Sequence, residues 1–267
     1  MNTPAGNEAV LCSFVDGVAT ITLNRPDKLN SLNDAMHADI AAFLDRVEAD
    51  PALRVLVLTA NGRAFCAGQD QSDRKPLPAG QKRDMGQALE RYYKPLVLRL
   101  RALPAPVMCA MNGLAVGVGA SLVLACDIVI AKRSAYFVQG FTRLGLMPDG
   151  GGTQFLPQLL GPARAIGLAM LNEKLSAAQA AEWGLIWRCV EDEEFDSASA
   201  ALVQQLAQSA TRALALTKRA MYAAPGNSLL QQLDLEVQSQ RELGLSDDYL
   251  EGASAFREKR APAFRGS

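Results

Sequence analysis

The chain changes its pattern of apolar residues partway along, and this change limits the folds that it can adopt. Before residue 163, short runs rich in Val and Ile alternate with helical patterns and glycine-rich bends. From residue 163 onward the apolar residues mostly follow the helical period. Strands that alternate with helices and then give way to helices are typical of an α/β core followed by a helical region. We therefore predict an α/β core over residues 1–195 and a C-terminal helical region over residues 196–267.

The individual elements follow from turn signals and from the spacing of apolar side chains. A hairpin is predicted first, because Asp16-Gly17 is a strong turn signal between two alternating runs. The polar stretch 73–82 predicts a mobile loop. Strands are predicted at residues 10–15, 18–23, 54–59, 107–111 and 128–131. Helices are predicted at residues 33–48, 85–103 with a kink at Pro95, 117–126, 163–172, 176–183, 195–209, 211–223, 229–243 and 249–259.

Composition removes several classes of protein from consideration. A net charge of −1, with Lys and Arg scattered along the chain, argues against nucleic-acid binding and against a basic membrane-binding patch. No apolar run approaches the ~20 residues of a membrane span. The polar N-terminus lacks the apolar segment of a signal peptide, and the five cysteines show no paired spacing. We expect a cytoplasmic protein with reduced thiols. One histidine and no clustered carboxylates argue against a metal site.

Two glycine-rich segments follow predicted strands and could present backbone N–H groups to a ligand. The first covers residues 61–70, and an ordinary loop is the alternative interpretation. The second covers residues 112–122, where a strand leads through glycines into a helix. The free N–H groups and the dipole of a helix start favour negative charge, so this segment could form half of an oxyanion hole. It is not a dinucleotide fingerprint, because Leu122 stands where the third glycine belongs.

Asp149 is the most informative single residue, since it lies between Pro148 and three glycines. A proline restricts the backbone before the acid, and the glycines leave the backbone open to close approach. The side chain is therefore either aimed at a ligand or caps a helix over residues 154–160. Ser121 poses a similar question. It could be a nucleophile, but it lacks the surrounding glycine pattern of a nucleophile elbow, so a small buried helix residue is the better interpretation.

Taken together, these segments resemble the crotonase family, also called the enoyl-CoA hydratase/isomerase family. The resemblance implies a spiral of ββα units whose C-terminal helices build trimers, often paired into hexamers. It also implies an acyl-CoA thioester as substrate and no separate cofactor, because coenzyme A enters as part of the substrate. The similarity covers nearly the whole chain in the family's order. The matching motifs are residues 24–32, 65–70, 112–119, 125–128, 144–153 and 176–185.

By motif position, the resemblance implies that the backbone N–H groups of Gln69 and Val118 hold the thioester oxygen. Family hydratases use two glutamates, which would fall at Ser121 and near Phe141, and neither is present here. Asp149 is the carboxylate that remains, at a position where family isomerases move a proton between carbons. One carboxylate suffices for that reaction, since the same group takes and returns the proton. An apolar pocket would raise the pKa of Asp149 by desolvation.

We therefore expect an acyl-CoA isomerase with Asp149 as its catalytic acid and base. Within the family, the closest resemblance is to the branch that isomerises a ring epoxide in phenylacetate degradation. Three alternatives stay open: an enoyl-CoA hydratase that uses Asp149 alone, a serine hydrolase that uses Ser121, and a non-catalytic acyl-CoA-binding subunit. The predicted substrate-binding residues are Lys28, Leu29, Ala67, Gly68, Asp70, Gly117 and Phe141.

Overall fold

The computed structural model describes residues 8–72, 78 and 80–266. Its larger sheet has six strands in the order β1-β2-β3-β5-β7-β10. The predicted hairpin is confirmed: β1 and β2 pair antiparallel, and Asp16 and Gly17 both have positive φ at the turn. The remaining neighbours in this sheet are parallel. The strands are β1 Val10–Val15, β2 Val18–Leu23, β3 Val55–Ala60, β5 Val107–Met111, β7 Ile128–Lys132 and β10 Arg188–Val190.

A second sheet of four strands, in the order β4-β6-β8-β9, was not predicted from the residues. Its strands have two or three residues each, which is too short to show the alternation that identifies a strand. The four strands are β4 Ala64–Cys66, β6 Leu114–Val116, β8 Tyr136–Val138 and β9 Leu175–Ser176. β4 and β6 follow glycine bends and lie within the two segments that we singled out, whereas β8 and β9 extend the sheet from β6.

The helices agree with the predicted pattern in type and closely in extent. Asn33 begins the first helix, because its side chain accepts a hydrogen bond from the Met36 N–H at 3.0 Å. The helices are α1 Asp34–Glu48, α2 Gly86–Ala88, α3 Lys94–Ala102, α4 Val118–Ala125, α5 Gly152–Leu160, α6 Pro162–Leu171, α7 Ala177–Glu182, α8 Phe195–Ala207, α9 Thr211–Ala223, α10 Leu229–Gly244 and α11 Asp247–Glu258.

The kink that we predicted at Pro95 takes the form of a π-helical turn over Leu89–Tyr93, between α2 and α3. Proline lacks an N–H and its ring clashes with the preceding helical turn, so a wider turn before Pro95 relieves both problems. This turn buries the Tyr93 side chain. Residues 73–77 and 79 of the predicted loop lie outside the described residues, and residues 78 and 80–82 form no helix or strand.

The core explains why α4 carries no polar stripe. All eight residues of α4 are buried, since the helix packs against α3, α5 and the second sheet. The C-terminal helix α8 covers the other face of the larger sheet with Phe195 and Leu206. Across the described ranges, no helix has both the length and the apolar character needed to cross a membrane. The division after residue 195 stays a prediction.

A buried ion pair attaches α9 to the core. Lys218 is 9% exposed, and its ammonium group lies 2.9 Å from the Asp127 carboxylate. The same group donates to the carbonyl of Leu100 at 2.8 Å and to that of Ala105 at 3.3 Å. The Tyr222 hydroxyl donates to the other oxygen of Asp127 at 2.6 Å. The C-terminal region therefore contacts the core through satisfied polar groups as well as through apolar packing.

We expect Lys218→Met to destabilise the protein by about 3 kcal/mol, because it leaves the largely buried carboxylate of Asp127 without its cation. Arg212→Met is the matched control. Arg212 pairs with Glu242 at 3.0 Å on the same region, but both side chains are almost half exposed, so the loss is at most about 1 kcal/mol. Urea unfolding gives both free energies. Equal losses would contradict the assigned role of Lys218.

Candidate active site

The turn after β4 leaves the backbone N–H of Gln69 without a partner in the ranges that the structure describes. Gly68 has φ +96°, and its N–H points to the Cys66 sulfur at 3.4 Å. Leu32 forms a parallel bridge here by donating to the Gly68 carbonyl and accepting from the Asp70 N–H, both at 2.8 Å. In such a bridge the N–H of the central residue points the opposite way. Among the described residues, nothing accepts a hydrogen bond from the Gln69 N–H.

A second N–H without a partner among the described residues lies at the start of α4, on Val118. Gly117 precedes the helix with φ +57°, and its own N–H donates to Val138 of β8 at 3.0 Å. The Val118 N–H is one of the donors that a helix start leaves free, and no described residue accepts from it. Gly119 of α4 packs directly on the turn that follows β4, since a Cβ at Gly119 would overlap the Cys66 carbonyl oxygen. This close approach brings the Gln69 and Val118 segments side by side.

Asp149 does not cap α5, so that interpretation is wrong. The N-cap of α5 is Gly151, with φ +90° and no side-chain hydrogen bond. Gly150 also has a positive φ of +57°, and together they turn the chain sharply after the acid. Asp149 Oδ1 is buried and has no hydrogen-bond partner within the part of the chain that the structure describes. Burial raises the pKa of Asp149 to about 6, which confirms the predicted direction.

The Asp149 turn packs on α4. A Cβ at Gly150 would lie 2.8 Å from a methyl group of Val118. The Ser121 hydroxyl donates to the Asp149 carbonyl at 2.7 Å, and Ser121 is 1% exposed. Ser121 is therefore a small buried helix residue, as we expected. Its hydroxyl is engaged with backbone, and His37 stacks on Tyr92 instead, so the arrangement counts against a serine hydrolase.

One cavity of about 450 Å³ collects most of the predicted residues. Asp149 is the only acidic side chain among the described residues that line it. Two N–H groups and one carboxylate that lack partners in the described part of the chain therefore share an otherwise largely apolar space. The predicted residues on its wall are Ala67, Gly68, Gln69, Gly117, Val118, Phe141 and Asp149.

Three predicted substrate-binding residues lie elsewhere. Lys28 is exposed at the end of a 3-10 turn, Leu29 follows it in the left-handed conformation, and neither lines this cavity. Asp70 lines a neighbouring cavity, where it pairs with Arg25 at 2.8 Å and accepts two hydrogen bonds from Ser72. Burial raises the pKa of Asp70, but the bonds from Ser72 and Arg25 outweigh it and lower the pKa overall. The Asp70 carboxylate therefore stabilises the loop that follows β4 through its bonds to Arg25 and Ser72.

A larger cavity of about 930 Å³ lies on the other side of Asp149, between α3, α5 and α9. Sequence reasoning missed it because three helices distant in sequence form it. The Arg101 guanidinium lies over the rings of Phe155 and Tyr222 at 4.3 and 4.0 Å on its wall. The two cavities share Leu89, Tyr93 and Asp149. Asp149 is thus reached from both.

Tyr93 also lines both cavities, and the sequence did not single it out. Its hydroxyl donates to the side-chain oxygen of Gln69 at 2.5 Å. His37 packs edge-on against Tyr93 at 4.7 Å, and burial lowers the pKa of His37 to about 4. The Gln69 side chain is therefore held by Tyr93 of the π-helical turn, and Tyr93 is in turn packed against His37 of α1. The tyrosine pair before Pro95 was the available signal, but it matched no catalytic pattern.

Comparison with known proteins agrees with this geometry. The enoyl-CoA hydratase/isomerase family model matches residues 13–267, so the chain belongs to that family. It is 53% identical to the 1,2-epoxyphenylacetyl-CoA isomerase of Escherichia coli (strain K12), over 97% of this chain and 99% of that one. It is 46% identical to a probable enoyl-CoA hydratase of Rhodobacter capsulatus, over 94% and 95% of the two chains. Among solved structures, an enoyl-CoA hydratase from Bacillus anthracis superposes with a TM-score of 0.90, at 32% identity over 97% of this chain and all of that one.

The unpaired carboxylate should reduce stability in a defined pH range. The pKa of Asp149 rises from 3.8 to about 6 on folding, so ionisation opposes the folded state as pH rises through this window. We expect Asp149→Asn to match the wild type in stability near pH 4. At pH 8 it should exceed the wild type by about 1 kcal/mol, a value discounted for the solvent that reaches the carboxylate. Urea unfolding at both pH values measures the difference. A variant less stable than the wild type at pH 8 would contradict an unpaired, desolvated carboxylate.

Proposed function

We propose that the protein is an acyl-CoA isomerase in which Asp149 moves the proton. The N–H groups of Gln69 and Val118 bind the thioester oxygen. One observation carries the proposal: two backbone donors and one partly desolvated carboxylate, all without partners among the described residues, belong to residues that line a single cavity. The relative that is 53% identical and named as a 1,2-epoxyphenylacetyl-CoA isomerase supports the same reaction class.

The chemistry follows from the placement of charge. Removal of a proton beside a thioester builds negative charge on the carbonyl oxygen, and preorganised donors stabilise that charge. Loss of one such donor typically costs ~3–4 kcal/mol of transition-state stabilisation. Asp149, with its pKa at about 6, is ionised at neutral pH yet holds a proton better than an ordinary aspartate. It takes the proton from one carbon and returns it to another, so no second acid is required.

The substrate is a CoA ester whose acyl group undergoes a double-bond shift or the isomerisation of a ring epoxide. The name of the E. coli relative favours the ring epoxide. The cavity of about 930 Å³ behind Asp149 supports a bulky acyl group, because its lining is mostly apolar and it shares Tyr93 with the thioester cavity. No separate cofactor enters this scheme, since coenzyme A belongs to the substrate.

Hydration is the second candidate, because a relative that is 46% identical is named as a probable enoyl-CoA hydratase. Water addition by the two-glutamate route needs acids at Ser121 and near Phe141. Ser121 instead donates to the backbone. Asp149 is the only acid among the described residues that line the two cavities of about 450 and 930 Å³. Isomerisation is therefore the better supported reaction. Fast hydration of crotonyl-CoA would favour the hydratase.

We also propose that the protein acts in the cytoplasm as a trimer or hexamer. Large exposed apolar side chains in the C-terminal helical region support self-association, since Leu230, Leu245 and Phe256 are 70%, 89% and 85% exposed. Light scattering should give three or six times the 28.6 kDa of one chain. A monomer at micromolar concentration would refute this.

We expect Asp149→Asn to lower isomerisation of trans-3-enoyl-CoA, and of ring-epoxidised phenylacetyl-CoA, by about 10³-fold, within the usual range for loss of a general acid–base group. Binding of phenylacetyl-CoA should be retained, because the two N–H donors and the cavity remain. Asp196→Asn is the matched control, as Asp196 is an exposed aspartate in the first turn of α8. Turnover assays and calorimetric titration measure both quantities. Near wild-type turnover by the Asp149 variant would refute the mechanism.

A further inference from the structure

We propose that Ser121 is a positioning residue that fixes Asp149 relative to the oxyanion hole. The inference rests on the proposed function and concerns a residue that touches neither substrate nor proton. Its hydroxyl donates to the backbone carbonyl of Asp149 at 2.7 Å, and Ser121 is 1% exposed. Because the donor end of this part-buried bond is shielded from water, the bond restrains the turn more firmly than a fully exposed one.

The Asp149 turn needs such a restraint. Gly150 and Gly151 follow the acid, and glycine has more conformational freedom than any other residue. The carboxylate offers no anchor of its own, since its buried Oδ1 is unpaired within the described residues. The carbonyl of Asp149 accepts from Ser121 and from the Gly152 N–H at 2.9 Å. Of these two bonds, the bond from Ser121 is the one that comes from outside the turn.

The bond also ties the acid to the donor that it must work with. Val118 and Ser121 are three residues apart on α4, so they lie on one face of the helix and are separated by ~4.5 Å along its axis. The helix start presents the Val118 N–H, and one turn later the same helix holds Asp149. A rigid helix therefore sets the distance between the thioester oxygen and the base. A shift of about 1 Å in such a distance can cost 10²-fold in rate.

Packing around the bond requires a short side chain at residue 121. A Cβ at Gly150 would lie 3.1 Å from the Ser121 Cβ, and one at Gly152 would lie 2.9 Å from its hydroxyl oxygen. The turn therefore rests directly on the serine. A glutamate at this position would displace the turn that carries Asp149. The serine and the single-acid site thus belong together in this chain.

The test is Ser121→Ala, which removes the hydroxyl and leaves the volume almost unchanged. We expect kcat for trans-3-enoyl-CoA to fall about tenfold with KM unchanged, because the lost bond misplaces the base without altering the binding surface. We also expect the acidic limb of the kcat–pH profile to move to lower pH. A loosened turn lets water reach Asp149, which brings its pKa from about 6 toward 3.8.

Ser239→Ala is the matched control. The Ser239 hydroxyl also donates to a backbone carbonyl, that of Leu235 at 2.8 Å, but within α10. It should lose a similar stability in urea while keeping kcat and the pH profile of the wild type. Wild-type kcat in Ser121→Ala would overturn the proposal. So would a fall in kcat whose acidic limb stays in place. Neither result would touch the proposed function, which the Asp149→Asn comparison decides separately.

Discussion

The close packing of α4 against two glycine-containing turns sets the geometry of the site. Gly119 lets the helix approach the Cys66 carbonyl, which brings the Val118 N–H beside the Gln69 segment. Ser121 holds the Asp149 carbonyl one helical turn further on. The helix is buried on all sides between the second sheet, α3 and α5, so its position is fixed by packing. Donors and acid therefore depend on one rigid element.

The same arrangement works against stability. Two N–H groups and a carboxylate oxygen without partners among the described residues are groups that folding normally satisfies. Apolar burial and well-paired contacts elsewhere offset this cost. The Lys218–Asp127 pair is an example, because Lys218 also donates to two backbone carbonyls and Asp127 also accepts from a backbone N–H and from the Tyr222 hydroxyl. The paired charges of Lys218 and Asp127 therefore have a structural role. The Asp149 carboxylate, whose buried oxygen lacks a partner among the described residues, marks the candidate active site.

Local signals predicted some of these features and not others. The Asp16-Gly17 hairpin and the turn at Gly117 were predictable because each depends on neighbouring residues. Asp149 was ambiguous alone, since a cap and an aimed acid have the same local sequence, and only the packing of its turn on α4 separates them. The second sheet was missed because its strands are too short for alternation to appear. The hydrogen bond from Tyr93 to the Gln69 side chain joins segments that are distant in sequence, so no local pattern indicates it.

The most direct test is a crystal structure with a saturated, unreactive acyl-CoA ester bound. The account predicts that the thioester oxygen lies 2.7–3.1 Å from the backbone nitrogens of both Gln69 and Val118. A carboxylate oxygen of Asp149 should lie about 3–3.5 Å from the carbon beside the thioester or from the γ-carbon. A thioester held away from these nitrogens, or an Asp149 turned away from both carbons, would contradict it.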